Sequence, residues 1–238
     1  MRFHIITIFP DIFNSYLNES IIGRAIKGKL ISVKFYNPRD FVKPKNENNY
    51  RPVDDKPYAG GPGMVMKAEP ILKAVEKAIS IACKFSKNKI LIVNFVPSAE
   101  KFTTTLAKNI SKKYTDVILI CGRYEGIDAR VDKILRKAQD KLFKFEKLSI
   151  GDYVLTGGEI PAMVIIDCVS RQVSGVLGKY ESLEEERVSS SEVYTRPEIL
   201  EYSFGSAQSK KQKKYKVPKI LLSGNHKEIE NWKNKKRR

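Results

Sequence analysis

Three segments of the 238-residue chain mix small residues with a few polar or charged ones, as a ligand site does. They are Val96-Pro97-Ser98-Ala99, Cys121-Gly122-Arg123-Tyr124-Glu125-Gly126-Ile127-Asp128 and Ser149-Ile150-Gly151-Asp152-Tyr153-Val154-Leu155-Thr156-Gly157-Gly158-Glu159. Each follows an apolar run of strand length, and open α/β sheets bind ligands beyond the carboxyl ends of their strands. Glycines let backbone amides and carbonyls reach a flat group such as adenine, and Ile150, Tyr153 and Leu155 offer an apolar slot. Each segment alone is as readily a plain turn; three together point to one shared pocket. A fourth segment, Ala59-Gly60-Gly61-Pro62-Gly63-Met64, permits unusual backbone angles, but on its own it reads as structural. No G-x-G-x-x-G lies between a strand and a helix and no P-loop lysine pattern occurs, so neither a Rossmann cofactor site nor a nucleotide-hydrolysing engine is supported.

Other chemistries are poorly supplied. The histidines are His4 and His226, and the cysteines Cys83, Cys121 and Cys168 are widely spaced. No zinc spacing and no disulfide framework follow, and a reducing cytoplasm fits. A Ser-His-Asp hydrolase would need one of two histidines with no suggestive neighbours. No apolar run approaches the roughly 18 residues of a membrane span. The opening Met1–Pro10 reads as a buried strand rather than a signal peptide. Charge is the sharpest bulk signal: 44 Lys and Arg against 27 Asp and Glu give +17. Residues Phe204–Arg238 hold 12 of those cations and 2 glutamates. A polyanion, RNA or DNA, is the natural partner, and a merely lysine-rich solvated surface is the alternative.

These segments need a scaffold, and hydrophobic periodicity supplies one. Strands are expected at Phe3–Ile8, Leu30–Tyr36, Lys89–Phe95, Asp116–Cys121 and Lys141–Phe145. Helices are expected at Glu69–Cys83, Ala99–Lys112 with Ser98 as N-cap, Gly126–Lys137 and Ile160–Gln172. Such alternation predicts an α/β domain with a mainly parallel sheet covered on both faces. Asn37–Pro62 reads as a long loop, and Lys179–Val193, polar and Ser-rich, as a mobile acidic linker. The expected division is 1–178, the linker 179–193, and a basic C-terminal domain over 194–238. That domain ends in a helix, Asn225–Arg238, with Asn225 as cap and Glu228 completing a capping box.

The motifs then acquire a family. Thr-Ile-Phe-Pro-Asp-Ile-Phe (7–13), Gly-Arg-Ala (23–25), Pro-Arg-Asp-Phe (38–41) and Val-Asp-Asp-Lys-Pro-Tyr-Ala-Gly-Gly-Pro-Gly-Met-Val-Met (53–66) come in order. After them stand Cys-Gly-Arg-Tyr-Glu-Gly-Ile-Asp (121–128), Ser-Ile-Gly-Asp-Tyr-Val-Leu-Thr-Gly-Gly-Glu (149–159), Val-Ser-Arg (169–171) and Gly-Val-Leu-Gly (175–178). Tyr-Thr-Arg-Pro-Glu (194–198) and Leu-Leu-Ser-Gly-Asn-His (221–226) complete the set. Over nearly its whole length the chain closely resembles the bacterial tRNA (guanine-N1)-methyltransferases, the TrmD family.

The resemblance implies a SPOUT-type α/β domain whose parallel sheet carries a deep trefoil knot, with a small, mainly helical C-terminal tRNA-binding domain. It implies a cytoplasmic homodimer with active sites shared between chains. The expected activity is transfer of a methyl group from S-adenosylmethionine to N1 of the guanosine at position 37 of tRNA, 3′ of the anticodon. By the same similarity Gly122 and Ile150, Gly151, Asp152, Tyr153, Val154 and Leu155 bind the cofactor. Val96, Pro97, Tyr124, Glu125, Gly157, Gly158 and Pro161 line its pocket. Arg171 is the arginine expected near guanine O6. The catalytic base lies eight residues beyond Gly178, at Glu186, in a run with Glu184 and Glu185 that leaves the register open by one or two positions. Asp54 and Arg123 fall on the substrate and dimer-interface side; for Asp54 a loop-fixing acceptor role is the alternative. No metal cage is expected, although Glu125 and Glu186 are the carboxylates that would meet a Mg2+ ion. Two segments depart from the family: the short Ser-rich Val188–Val193, and a lysine-rich insert, Ser206–Lys216, in a shortened C-terminal domain. A non-catalytic RNA-binding protein on the same scaffold, or a methyltransferase with another RNA target, are the alternatives.

Overall fold

A computed structural model describes residues 1–58, 60–83, 89–178, 190–203 and 213–236. The chain divides into two compact units, Met1–Gly178 and Lys179–Arg238. In the first, β1 (Arg2–Ile6) leads through a 3-10 turn, Pro10–Phe13, and helices α1 (Asn14–Leu17) and α2 (Ser20–Lys27) to β2 (Ser32–Tyr36). A second 3-10 turn, Pro38–Phe41, and the short pair β3 (Asp54–Asp55) and β4 (Val65–Met66) precede α3 (Ala68–Ala82). Then come β5 (Ile90–Lys101), α4 (Thr104–Lys113), β6 (Asp116–Ile120), α5 (Arg130–Ala138), β7 (Phe143–Ser149) and α6 (Glu159–Arg171). Five strands form one sheet in the order β2-β1-β6-β5-β7, and every neighbouring pair is parallel. The α/β expectation with a parallel sheet is therefore met.

The central strands β1, β6 and β5 are buried on both faces, as strands of a parallel sheet under helices are. Alternate residues divide between two cores. Phe3, Ile5, Leu91, Val93, Val117 and Leu119 pack with Ile22 of α2, Ile110 of α4 and Ile165 of α6. Ile6, Ile90, Ile92, Ile118 and Ile120 pack on the other face with Ile71 and Val75 of α3 and Val131 and Leu135 of α5.

One helix differs from its expected position. The sequence pattern places it at Ala99–Lys112 with Ser98 as cap, but β5 continues to Lys101 and the helix begins at Thr104. Thr103 is the cap, its hydroxyl accepting from the Leu106 amide at 3.2 Å. The β5–β7 register slips between Phe95 and Glu100, both of which face Leu148. Val96–Ala99 is thus a bulge within a strand, at a proline that has no amide to give to the ladder. The expected helix over Gly126–Lys137 likewise starts later, at Arg130, because Ile127 bridges to Met66 and Asp128 accepts from the Arg130 amide. Within the expected Asn37–Pro62 loop, Asn37 caps the turn at Pro38–Phe41 by accepting from the Arg39 amide.

In the second unit β8 (Ile199–Tyr202) and β9 (Lys213–Lys216) form an antiparallel ladder, followed by α7 (Lys219–Leu222) and α8 (His226–Lys235). Asn225 caps α8, accepting from the Glu228 amide at 3.3 Å, as the capping-box spacing predicts. The ladder was not expected from the sequence, whose lysine-rich stretch hides the strand pattern.

A buried polar network centred on Asp116, the first residue of β6, joins three strands. Asp116 is fully buried. It accepts both arms of Arg2 at 2.7 and 2.8 Å and the Thr115 hydroxyl at 2.7 Å, and it lies 3.0 Å from His4 Nε2. His4 Nδ1 lies 2.8 Å from the Tyr36 hydroxyl. One tautomer satisfies both contacts, with Nε2 donating to Asp116 and Nδ1 accepting from Tyr36. Burial by itself would raise the Asp116 pKa; the hydrogen bonds from His4, Arg2 and Thr115 outweigh it and hold the carboxyl at about 2, against 3.8. Burial, then the Asp116 charge, push Tyr36 up to about 12. A depressed carboxyl stabilises the fold fully above its unfolded pKa, and the contribution is lost as pH falls through the folded value. Asp116 therefore adds about 2 kcal/mol above pH 4 that disappears toward pH 2. Asp116→Asn is expected to lower stability at pH 7 by roughly 3 kcal/mol and to flatten the loss between pH 4 and 2. Urea unfolding at several pH values checks this; an unchanged acid limb would count against it.

Candidate functional site

The carboxyl ends of β5, β6 and β7 open onto one cavity of about 460 Å³. Its walls are the β5 bulge around Val96 and Pro97, the loop 122–129 after β6 and the loop 149–158 after β7, closed by Pro161 in the first turn of α6. The two long loops are tied to each other. The Gly158 amide donates to the Gly122 carbonyl at 2.9 Å, and Arg123 and Gly157 form an antiparallel bridge. A Cβ on Gly158 would stand 2.6 Å from Cys121 Cα, so only glycine permits this approach. The loop after β6 is itself held by the glycine-rich segment before β4. The Glu125 amide donates to Met64 and the Met66 amide to Gly126, each at 3.0 Å. Tyr124 adopts φ +60°, a left-handed conformation that costs a non-glycine residue energy and needs such anchoring.

Charge is arranged around the same tie. Glu159, buried at the start of α6, accepts the Thr7 hydroxyl at 2.8 Å, and its other oxygen lies 3.0 Å from Arg123 Nε. The helix N-terminus favours that carboxylate. The Arg123 guanidinium also lies over the Phe9 ring, 4.7 Å from its centroid. Burial, then the Glu159 charge, push the Cys121 thiol well above its ordinary pKa, so it is no nucleophile. Also lining the cavity, Asn94 donates to Asp132 at 2.8 Å, and Lys147 pairs with the other Asp132 oxygen at 2.9 Å.

The structure brings together Val96, Pro97, Gly122, Arg123, Tyr124, Glu125, Ile150, Gly151, Tyr153, Val154, Leu155, Gly157, Gly158 and Pro161 around the cavity. Asp152 is set apart. It does not line the cavity and instead pairs with Lys101 at 2.5 Å on the surface. Arg171 ends α6, a helix of 13 residues, so it stands about 20 Å along the axis from the end that lines the cavity. Asp54 pairs with Met66 in the β3–β4 ladder and is half-buried; through the bridge from Met66 to Ile127 that ladder abuts the cavity loop. Glu184, Glu185 and Glu186 lie outside the described residues. Among the described residues no three His, Cys, Asp or Glu side chains gather as a metal cage. Asn94, Asp132 and Lys147 line the cavity without having been singled out; a lone asparagine in the apolar run of β5 was the available signal.

The comparisons with known proteins agree with one another. The family model described as tRNA (Guanine-1)-methyltransferase TrmD matches residues 1–238. A tRNA (guanine-N(1)-)-methyltransferase of Clostridioides difficile is 42% identical over 236 residues, covering 98% of this chain and 90% of the relative. One of Dictyoglomus turgidum, with the same name, is 44% identical over 239 residues, covering 99% and 84%. One of Buchnera aphidicola from Acyrthosiphon pisum is 42% identical over 234 residues, covering 97% and 86%. From its first residue to its last, the chain belongs to the tRNA (guanine-1)-methyltransferase family TrmD.

Proposed function

We propose that this protein transfers a methyl group from S-adenosylmethionine to N1 of a guanosine in tRNA, the one at position 37 beside the anticodon. The observation that carries the reading is the cavity with its glycine-tied wall, in a chain that matches the family throughout. Its residues fit the cofactor. About 460 Å³ is within the range of pockets that enclose ligands of this size. Ile150, Leu155 and Val96 supply apolar walls for a flat base, and the loop glycines expose backbone groups to its edge. When bound, the cofactor supplies an electrophilic methyl group on a sulfonium. The protein's part is to position that group in line with the acceptor and to manage the acceptor's proton. Guanine N1 carries a proton at neutral pH, so a carboxylate that removes it activates the nucleophile. Glu186 is assigned that role. Arg171 is assigned to O6, where a guanidinium stabilises the negative charge that develops as N1 loses its proton.

Arg171 stands about 20 Å along α6 from the cavity of its own chain. A homodimer in which one chain supplies the cofactor pocket and the other Arg171 and Glu186 resolves that separation. Phe9, Ile12 and Ile160 are each more than 40% exposed, and a second copy would cover them. The family match and the direct pairing of the loops after β6 and β7 support a deep trefoil knot of the SPOUT class. The division of labour that follows is a cofactor-binding domain over 1–178, a linker over 179–193 and a basic tRNA-binding domain over 194–238, mainly helical apart from its ladder. The enzyme would work in the cytoplasm, where tRNA is; among the described residues no helix is long and apolar enough to cross a membrane. Magnesium forms no part of this reading.

Label from methyl-labelled S-adenosylmethionine is expected in a tRNA with guanosine at position 37 and absent when that base is adenosine. Transfer to both would indicate another target, and transfer to neither a binding protein. Glu186→Gln is expected to reduce transfer by at least ~100-fold while leaving S-adenosylhomocysteine affinity within about twofold, since the base does not hold the cofactor. Loss in Glu185→Gln with an active Glu186→Gln would move the base by one residue.

A further inference from the structure

We infer that one face of the β8–β9 ladder is a stacking platform for unpaired bases of the RNA substrate. This rests on the reading of tRNA as substrate and adds a recognition surface remote in sequence from the cofactor cavity. In an antiparallel pair, residues directly opposite each other project to the same side. Leu200 faces Tyr215 and Tyr202 faces Lys213, so these four share one face. The other face carries the ion pair between Glu201 and Lys214, 2.6 Å apart. On the first face Leu200 is 51% exposed and Tyr202 and Tyr215 are each 54% exposed. Two tyrosines and a leucine on a two-stranded ribbon form an apolar surface that water would not select for its own sake.

The surroundings identify the occupant. Lys213 lies on the same face, and the tail from Phe204 to Arg238 carries 12 Lys and Arg against 2 Glu. Aromatic rings interleaved with lysines suit single-stranded nucleic acid, whose bases stack on the rings while its phosphates meet the cations. A purely hydrophobic protein partner would gain nothing from the lysines. A duplex would offer the tyrosines no open base face. Tyr202 and Tyr215 occupy diagonal positions on the face and provide neighbouring platforms for two successive bases.

Fluorescence anisotropy with a tRNA transcript and with an unstructured RNA oligonucleotide, each over a range of salt concentrations, tests this. Tyr202→Ala and Tyr215→Ala are each expected to weaken both RNAs roughly five- to hundredfold, the range for one lost base stack, with the salt slope unchanged. The phenylalanine variants are expected to retain binding, because stacking needs the ring and not the hydroxyl. Lys213→Gln is expected to reduce the salt slope by about one phosphate contact. S-adenosylhomocysteine affinity should stay constant in all of them. Alanine variants that bind both RNAs like the parent would overturn the proposal, as would variants whose only change is in self-association. The two readings fail separately: absence of methyl transfer to tRNA by the parent chain condemns the methyltransferase reading, whereas the tyrosine series with the oligonucleotide decides the platform.

Discussion

The close approach of two loops across the backbone of Gly158 and Gly122 is the constraint on which the site depends. One hydrogen bond at 2.9 Å joins them, and the space between them would not hold a single methyl group. That contact turns two separate strand-end loops into one wall. It also fixes the start of α6, because Glu159 follows directly and sends its carboxylate back to Thr7 and Arg123. Arg123, in turn, is the residue whose backbone bridges to Gly157. Backbone pairing, a buried ion pair and a helix N-terminus thus reinforce one geometry. The cost of Tyr124 in its left-handed conformation is offset by the same local network.

The two ends of the sheet therefore play different parts. Toward the amino end, hydrogen bonds link Arg2 and His4 of β1 to Asp116 of β6 and His4 to Tyr36 of β2, which secures the β2-β1-β6 pairing. At the carboxyl end, glycine and strand irregularity open a cavity that admits a ligand. The bulge after Phe95 belongs to this second group of features. It lets β5 supply both a central strand and a piece of the pocket wall before it resumes pairing at Glu100.

Much of this was legible in the residues, and the failures have physical reasons. Apolar runs of strand length announced the strands of the sheet most plainly at β1, β5 and β6, which are buried on both faces, whereas the edge strands β2 and β7 alternate with exposed residues. The glycine-rich strings announced the cavity, because close backbone approach demands that residue type. At the start of α4, Ser98 and Thr103 are both acceptable caps by residue type. Only the register against β7 decides between them, and that is a non-local fact. Asp152 belongs by resemblance to the cofactor-binding run, and its pairing with Lys101, fifty-one positions away, is a non-local fact. Asn94, Asp132 and Lys147 come from three different elements, and no local pattern links them. The β8–β9 ladder was hidden by lysines, which are poor strand formers in isolation. Arg171 was identified by motif alone, and only the length of α6 reveals how far it stands from its own chain's cavity.

The most direct test lies in the loop tie itself. Gly158→Ala adds one methyl group where the structure has no room, so it should part the loops and displace the cofactor wall. Titration of the purified variant with S-adenosylhomocysteine, with circular dichroism to verify its secondary structure, measures this. At least a tenfold loss of affinity is expected, with stability lowered by roughly 1–3 kcal/mol, the usual range for overpacking. A variant that binds S-adenosylhomocysteine as tightly as the parent would contradict the assignment of this cavity to the cofactor.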